Sequence, residues 1–316
     1  MVGLRVKGIY LAIKENPKGP MPQSVNILLA THNGARYLPE QLQSYSRQGH
    51  KEWCLWASDD GSTDKTLKHL QDFAQRSPVQ IVDGPQKGAA ANFMSLLCHP
   101  DLPDAPVALS DQDDVWLSHR LERGLARLAQ HDGPALYCSR TMVVDPELKP
   151  LGFSPNYKSA SFENAIVQNI ASGHTIMLNT HALHLIRQAG IPNDIPYHDW
   201  WTYLLITAAG GTVVFDKKPG VMYRQHSGNH SGAHHGLGAI IDRIRVLKKG
   251  GYRQWISSNL SALQACTPLI TSHARDIVDE LQSSADWKSV FTKHDIRRQG
   301  KIGQAMLGIA FAMNWL

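Results

Sequence analysis

Apolar and polar positions alternate in blocks through the first 130 residues. "SVNILLAT" (24–31) is a near-continuous apolar run ending in polar residues, as a strand buried on both faces reads. "GARYLPEQLQSYSRQ" (34–48) then spaces Leu38, Leu42 and Tyr45 at helical intervals. The plan repeats in "EWCLWASDDGSTDKTLKHLQDFAQR", which predicts a strand over 52–57, a polar turn, and a helix with Leu67, Leu70 and Phe73 on one face. "VQIVDG" (79–84) predicts a third strand, Asn92 to Cys98 a helix, "PVALS" a fourth strand, and Ser118 to Gln130 another helix. Regular strand–helix alternation predicts an α/β fold with a doubly wound, mostly parallel sheet flanked by helices. Ligands of such sheets bind beyond the carboxyl ends of the strands.

After residue 130 the rhythm changes. "ALYCSRTMVVD" reads as a strand, and "FENAIVQNIASGHTIMLNTHALHLI" as helix, glycine-containing turn, strand and helix. "YHDWWTYLLITAAGG" predicts a helix with polar residues at its start, and "TVVFDKKPGVMYRQH" two short strands. From Leu237 onward the chain is helical and amphipathic. The expected organisation is a leader and linker over 1–23, a sheet domain over 24–235 and a C-terminal helical region over 236–316. "KENPKGPMPQ" is the linker, and residues 1–20 lack the pattern of a secretory signal.

Three polar clusters fall at predicted strand ends: Thr31-His32-Asn33, Ser58-Asp59-Asp60-Gly61-Ser62, and Ser110 to Asp114. The fold would bring all three to one rim. Asp111-Gln112-Asp113 has the form Asp-x-Asp, whose hard carboxylates suit a shared Mg²⁺ or Mn²⁺. A bound cation would offset the repulsion of three acids in four positions. A solvated acidic turn is the plainer alternative, and a strand-to-helix turn capped by Ser62 or Thr63 is the alternative for Asp59-Asp60.

Composition narrows the class. Of 316 residues, 42% are hydrophobic and 19% charged, as in ordinary globular proteins, and no apolar run approaches the ~20 residues that span a bilayer. Cys54, Cys98, Cys138 and Cys266 are far apart and form no metal-like pair, which fits a reduced, cytoplasmic setting. The formal charge of +5 suits an anionic substrate or membrane surface and does not argue for nucleic acid.

The ordered set "ILLATHNGARYLPEQLQSYSRQ", "WASDDGSTDKT", "GPQKGAAANF", "ALSDQDDVWLSHRL", "NIASGHTIMLN", "HDWW" and "YRQHSGNHSGA" resembles the successive motifs of inverting family-2 glycosyltransferases of the GT-A fold. The likeness is strongest to the bacterial rhamnosyltransferase-like members that build surface polysaccharides, and spans roughly residues 24–235. It implies roles position by position. Thr31, Asn33, Asp59 and Asp60 would meet the nucleoside, with Lys87 and Asn92 in the third loop contacting nucleotide or donor sugar. Asp111 and Asp113 would form the metal motif with His226 nearby, and Asp111 would also face the nucleotide. Asp114 would support that motif, and Trp116 would wall the sugar pocket. Gly173, His174 and Thr175 would line the acceptor side. Asp199 would be the catalytic base, with His198 where glutamate is commoner in the family, and Trp200 and Trp201 would stack on sugar. Arg224 would offset diphosphate charge.

The implied reaction moves a sugar from a nucleoside diphosphate to an acceptor hydroxyl with inversion, aided by Mn²⁺ or Mg²⁺. dTDP-L-rhamnose is the first-choice donor, a UDP-hexose the second, and a lipid-linked glycan the expected acceptor. Two readings of other classes are a phosphotransfer domain, which also sets aspartates and a lysine on sheet-end loops, and a non-catalytic glycan-binding module. A helix N-terminal acid stabilised by the dipole is the plainer alternative for Asp199. In "HSGNHSGAHH", His226, His230 and His234 are four apart, but Gly228 and Gly232 argue against a zinc-binding helix and for a glycine-rich loop over the diphosphate. "IIDRIRVLKKGGYRQWI" (240–256) interleaves Arg243, Arg245, Lys248, Lys249 and Arg253 with Ile240, Ile241, Ile244 and Leu247. With the apolar "KIGQAMLGIAFAMNWL" it suggests peripheral membrane contact; a helical cap packed on the sheet domain is the alternative.

Overall fold

The computed structural model describes residues 24–226, 247, 248 and 250–316. The leader, Gly228, His230, Gly232, His234, Ile240, Ile241, Arg243, Ile244, Arg245 and Lys249 lie outside the described residues.

Four apolar runs form the parallel half of the sheet: β1 (Val25–Thr31), β2 (Trp53–Asp59), β3 (Val79–Asp83) and β4 (Val107–Ser110), in the order β3-β2-β1-β4. Between them run α1 (Leu38–Ser46), α2 (Thr66–Ala74) and α3 (Ala89–Leu97). Pro39 sits in the first turn of α1, where its missing N–H costs nothing. Both faces of β1, β4 and most of β2 are covered, which explains their apolar character, whereas edge strand β3 is half-buried. On β1, Leu28 enters one core layer while Val25, Ile27 and Leu29 enter the other, the period-2 division a strand imposes.

β5 (Val115–Trp116), α4 (Arg120–Leu128), β6 (Ala135–Val144) and β7 (Pro150–Phe153) follow. Then come α5 (Phe162–Val167), a 3₁₀ turn (Gly173–Thr175), β8 (Met177–Leu178), α6 (Thr180–Ala189), α7 (His198–Ala208) and β9 (Thr212–Arg224). The sheet continues β4-β8-β6-β9-β5, with β8 antiparallel to both neighbours and β9 parallel to β6. The two strands expected over 212–226 are one element with a register shift: Ser139 pairs with Asp216 and Thr141 with Val221. Two-residue β5 is antiparallel to the end of β9, with Val115 opposite Met222 and Trp116 opposite Val221. That short ladder ties the acid-rich loop to the last residues of β9.

The C-terminal region contributes α8 (Gly251–Ala265), α9 (Ser272–Ser283), α10 (Trp287–Lys293) and α11 (Lys301–Ala312). Ile256, Leu260, Leu263, Ile277, Leu281, Val290 and Leu307 join the same core layer as Trp200, Trp201 and Leu204 of α7. Within the described residues, no helix is long and apolar enough to cross a membrane.

Candidate active site

β1, β2, β4 and β9 all point the same way, so the loops after them share one rim. The first loop and the acid loop are clamped together: the His32 N–H donates to Gln112 Oε1 at 2.9 Å, and Gln112 Nε2 donates to the His32 carbonyl at 3.0 Å. A Cβ at Gly34 would meet the Gln112 side chain, so a larger residue there would displace this clamp. The second loop folds on itself. Asp59 accepts from Thr31 Oγ1 at 2.8 Å, from Ser62 Oγ at 2.6 Å and from the Ser62 N–H at 2.8 Å. Asn33 Oδ1 accepts the Thr63 N–H at 2.8 Å. Asp60 accepts the N–H groups of Gln86 and Gly88 at 2.6 and 2.9 Å, which fixes the third loop and leaves Lys87 exposed on it.

The acid loop is held by two buried arginines. Arg120, on the inner face of α4, donates to the carbonyls of Leu109 (2.8 Å) and His174 and lies 3.7 Å over the Trp116 ring. Burial lowers its guanidinium to about 10, so it stays charged at neutral pH. Arg224 donates from Nε to the Asp113 carbonyl at 2.9 Å, from its backbone N–H to Asp114 Oδ1 at 3.1 Å, and to the Pro146 carbonyl and Glu40. Its guanidinium also packs 4.6 Å from the centre of the Tyr37 ring.

Above these, Asp113 Oδ2 lies 2.9 Å from His226 Nε2, and Tyr37 packs on the His226 ring at 4.8 Å. Beneath, oxygens of Asp111 and Asp114 and a nitrogen of His174 lie within 4.8 Å of one another. Asp114 is fully buried, and its Oδ2 has no hydrogen-bond partner among the described residues. Burial, then the charges of Asp113 and Asp111, push its carboxyl well above the usual range. Asp111 is pushed up to about 7 by burial and then by the charges of Asp113 and Asp199. Its side chain keeps 38% exposure, so water softens that effect. Burial lowers His174 to about 3, which keeps its imidazole neutral. His174 Nε2 is 3.1 Å from Thr141 Oγ1, and Tyr223 stacks on its ring at 4.7 Å.

This donor set fits a hard divalent cation. Carboxylate oxygens with imidazole nitrogen suit Mn²⁺, and carboxylates alone suit Mg²⁺. A bound cation would offset the disfavoured ionisation of Asp111 and Asp114 and could meet the Asp114 oxygen that has no partner among the described residues.

Asp199, at the start of α7, faces this group closely enough for its charge to raise Asp111. Asp199 Oδ2 accepts the Gly173 N–H at 3.0 Å and Oδ1 accepts the Trp200 N–H at 2.7 Å, which fix one carboxylate orientation. A Cβ on Gly173 would sit 2.7 Å from His198 Nε2 and 3.4 Å from the Asp199 Cβ, so only glycine allows this approach.

Several expected site residues lie elsewhere. Trp201 is fully buried and Trp200 donates Nε1–H to the Ala165 carbonyl, so neither offers a face to sugar. Both complete the apolar stripe of α7. Trp116 is a core residue, enclosed by Tyr45 (4.8 Å) and Arg120. Asn92 is buried and joins α3 to β2 through the Ser58 hydroxyl and carbonyl, out of reach of a nucleotide. His198 stacks on Phe93 at 4.1 Å behind Asp199, and burial lowers its pKa. Thr175 is buried and closes its own turn on the Ser172 carbonyl at 2.8 Å. Arg224 is committed to the acid loop and Glu40, and its side chain is 2% exposed, so it positions the acids and does not reach a diphosphate. Asp59 and Thr31 are buried in their own turn, and Asp60 anchors the third loop. Gln112, Arg120 and Tyr223 went unassigned in the sequence. The signal for Arg120 was its place among the apolar positions of "VWLSHRL"; Gln112 and Tyr223 gave none.

The family model for glycosyl transferase family 2 matches residues 26–189. The chain is 26% identical over 245 residues to dTDP-rhamnosyl transferase RfbG of Shigella flexneri, covering 74% of this chain and 84% of that protein. It is 23% identical over 113 residues to UDP-Glc:alpha-D-GlcNAc-diphosphoundecaprenol beta-1,3-glucosyltransferase WfgD of Escherichia coli, covering 36% of this chain and 44% of that protein. Among solved structures, S. aureus TarS 1–349 in complex with UDP-GlcNAc superposes with a TM-score of 0.55 at 14% identity, covering 75% of this chain and 66% of that chain. That likeness identifies the sheet and its flanking helices as the GT-A fold.

Proposed function

The chain belongs to glycosyl transferase family 2, and from that premise we propose that it transfers L-rhamnose from dTDP-L-rhamnose to a glycan hydroxyl, with inversion, in surface polysaccharide synthesis. Membership displaces the phosphotransfer reading. The choice of donor is supported by the similarity to RfbG over most of both chains; a UDP-hexose is the second choice.

One observation carries the reading. The Asp199 carboxylate, steered by the Gly173 N–H, faces the cluster of Asp111, Asp114 and His174 at the same rim, a group that could hold a cation. Asp199 removes the proton of the acceptor hydroxyl as its oxygen attacks the anomeric carbon. With His198 neutral and packed on Phe93, no second carboxylate shares this role. Asp113 and His226 would hold Mn²⁺ or Mg²⁺, with Asp111 beneath. When bound, the cation supplies positive charge beside the departing diphosphate. Arg224 and Arg120 keep the acids in place before any ligand arrives, so the site needs little reorganisation. Exposed Lys87, on the loop fixed by Asp60, adds a cation for the nucleotide.

The acceptor reading is a lipid-linked glycan on the cytoplasmic side of a membrane. α11 supports it: Ile302 and Ile309 on the helix and Met313 just after it are exposed (70%, 54% and 56%), with Lys301 at its start. Basic residues at headgroups with apolar side chains below them is the arrangement of interfacial helices.

The test is release of nucleoside diphosphate from dTDP-L-rhamnose, UDP-glucose and UDP-N-acetylglucosamine, with Mn²⁺ and lipid-linked glycan acceptors. Turnover of dTDP-L-rhamnose well above the UDP-sugars supports the reading. Turnover of a UDP-sugar alone overturns the donor choice.

A further inference from the structure

With Trp200 and Trp201 in the core, the acceptor lacks the aromatic wall expected beside Asp199. Tyr197, two residues before the base and immediately before α7, is exposed and feels the Asp199 charge. Its ring meets Trp255 of α8 edge-on at 5.3 Å and 81°. Beside this pair is a cavity of about 180 Å³ lined by Asp194, Ile195, Pro196, Gln254, Trp255 and Ser258. One wall is the chain leading into α7. The other is a single face of α8, since positions 254, 255 and 258 lie one turn apart.

The chemistry of the lining is selective. An indole and two aliphatic side chains offer an apolar surface. A carboxylate, a primary amide and a hydroxyl offer both donors and acceptors of hydrogen bonds. Among the described residues no lysine or arginine lines the cavity, so the described lining does not favour phosphate. A sugar ring, with apolar C–H faces and a hydroxyl perimeter, matches both halves. The α8 wall is firmly seated. Tyr252 stacks on Trp200 at 6.2 Å and donates to the Val167 carbonyl, while Arg298 donates to Tyr252 Oη at 2.7 Å and to the Val167 carbonyl at 2.6 Å.

We propose that Asp194, Tyr197, Gln254, Trp255 and Ser258 form a subsite for a neutral saccharide of the acceptor, built jointly by the α7 entry and the C-terminal helix α8. The subsite rests on the reading of Asp199 as the base, since Tyr197, whose ring meets Trp255, stands two residues before it and feels its charge. It gives the C-terminal helices a part in acceptor choice beyond covering the sheet.

The test uses the full chain, with methyl α-L-rhamnoside and methyl N-acetyl-β-D-glucosaminide as probes in saturation-transfer NMR. At least one probe is expected to receive saturation on its ring protons. Affinity should fall about tenfold in Trp255→Ala and in Gln254→Ala, and persist in Trp255→Phe. Gln254 and Asp194 are exposed, so Gln254→Ala and Asp194→Ala carry the test if Trp255→Ala unfolds. Calorimetry with dTDP and Mn²⁺ runs in parallel and should give the wild-type affinity in every variant. Absence of probe contact in the wild type, or unchanged contact in the alanine variants, overturns the subsite. Failure of dTDP to bind the wild type overturns the donor reading instead, and the two failures are read independently.

Discussion

Asp113 Oδ2 and His226 Nε2 lie 2.9 Å apart although 113 positions separate them in the chain. The two-residue ladder between β5 and β9 makes this pair. With Trp116 opposite Val221 and Val115 opposite Met222, the acid loop must end beside Arg224 and His226. Arg224 then completes the junction through the Asp113 carbonyl and the Asp114 carboxylate. The acid cluster is therefore assembled by backbone pairing and by arginines pointing inward, and its outward oxygens remain for a ligand.

Removing the inner counter-charge should destabilise the fold. Arg120→Met leaves the acids without one of their two buried cations and removes the Arg120 donors to the Leu109 and His174 carbonyls. Breaking a buried charge arrangement this way costs about 3–5 kcal/mol. Urea unfolding of wild type and variant measures it. A change near zero would mean that Arg120 is not the acids' counter-charge.

The acid cluster also predicts a pH dependence. Asp111 titrates near 7 when folded, above its unfolded value. A raised carboxyl contributes stability that is fully present at acid pH and lost as pH rises toward 7. In chelator, the melting temperature of Asp111→Asn should therefore gain on that of wild type between about pH 4 and pH 8, by a few degrees, because the carboxyl is partly hydrated. Parallel curves for the two proteins would remove this account of Asp111.

The base is tested by Asp199→Asn, which keeps the shape of the side chain and an acceptor for one of the Gly173 and Trp200 N–H groups, and removes the basicity. Turnover should fall by ~10²–10⁴-fold, with nucleotide affinity nearly unchanged. Wild-type turnover in the variant would assign the proton transfer to another group.

Membrane contact is tested on α11. Ile302→Glu with Ile309→Glu places charge on its exposed side without touching the buried Leu307 and Ala310. Sedimentation with anionic vesicles at low salt should capture the wild type and release the double variant. Equal capture of both would exclude this face as the contact.

How far the sequence could be read depended on whether a feature is local. Strands β1, β2 and β4 and their helices announce themselves because a doubly covered strand must be apolar along its whole length. The rim clusters follow from that topology, so Asp111 and Asp113 could be placed beside the other strand ends; Asp199 came only from the family resemblance. β5 could not, since two residues carry no periodicity, and without it the approach of β9 to the acid loop is invisible. Burial of polar and aromatic side chains is also decided by partners far away. The resemblance implies ligand contacts for Arg224 and Asn92, yet each completes a buried hydrogen-bond set. Trp200 and Trp201 looked like a sugar platform because they follow the base, but Trp200 turns inward onto α5 and α8 and Trp201 is fully buried in the core.

The most direct measurement is calorimetric titration of the full chain with dTDP in Mn²⁺ and in chelator, for wild type, Asp113→Ala and His226→Ala. Binding by the wild type should be strong in Mn²⁺ and weak in chelator. Each variant should bind in Mn²⁺ no better than the wild type does in chelator, with an unchanged melting temperature. Undiminished Mn²⁺-dependent affinity in both variants would contradict the assignment of Asp113 and His226 as the centre that holds the cation and the diphosphate.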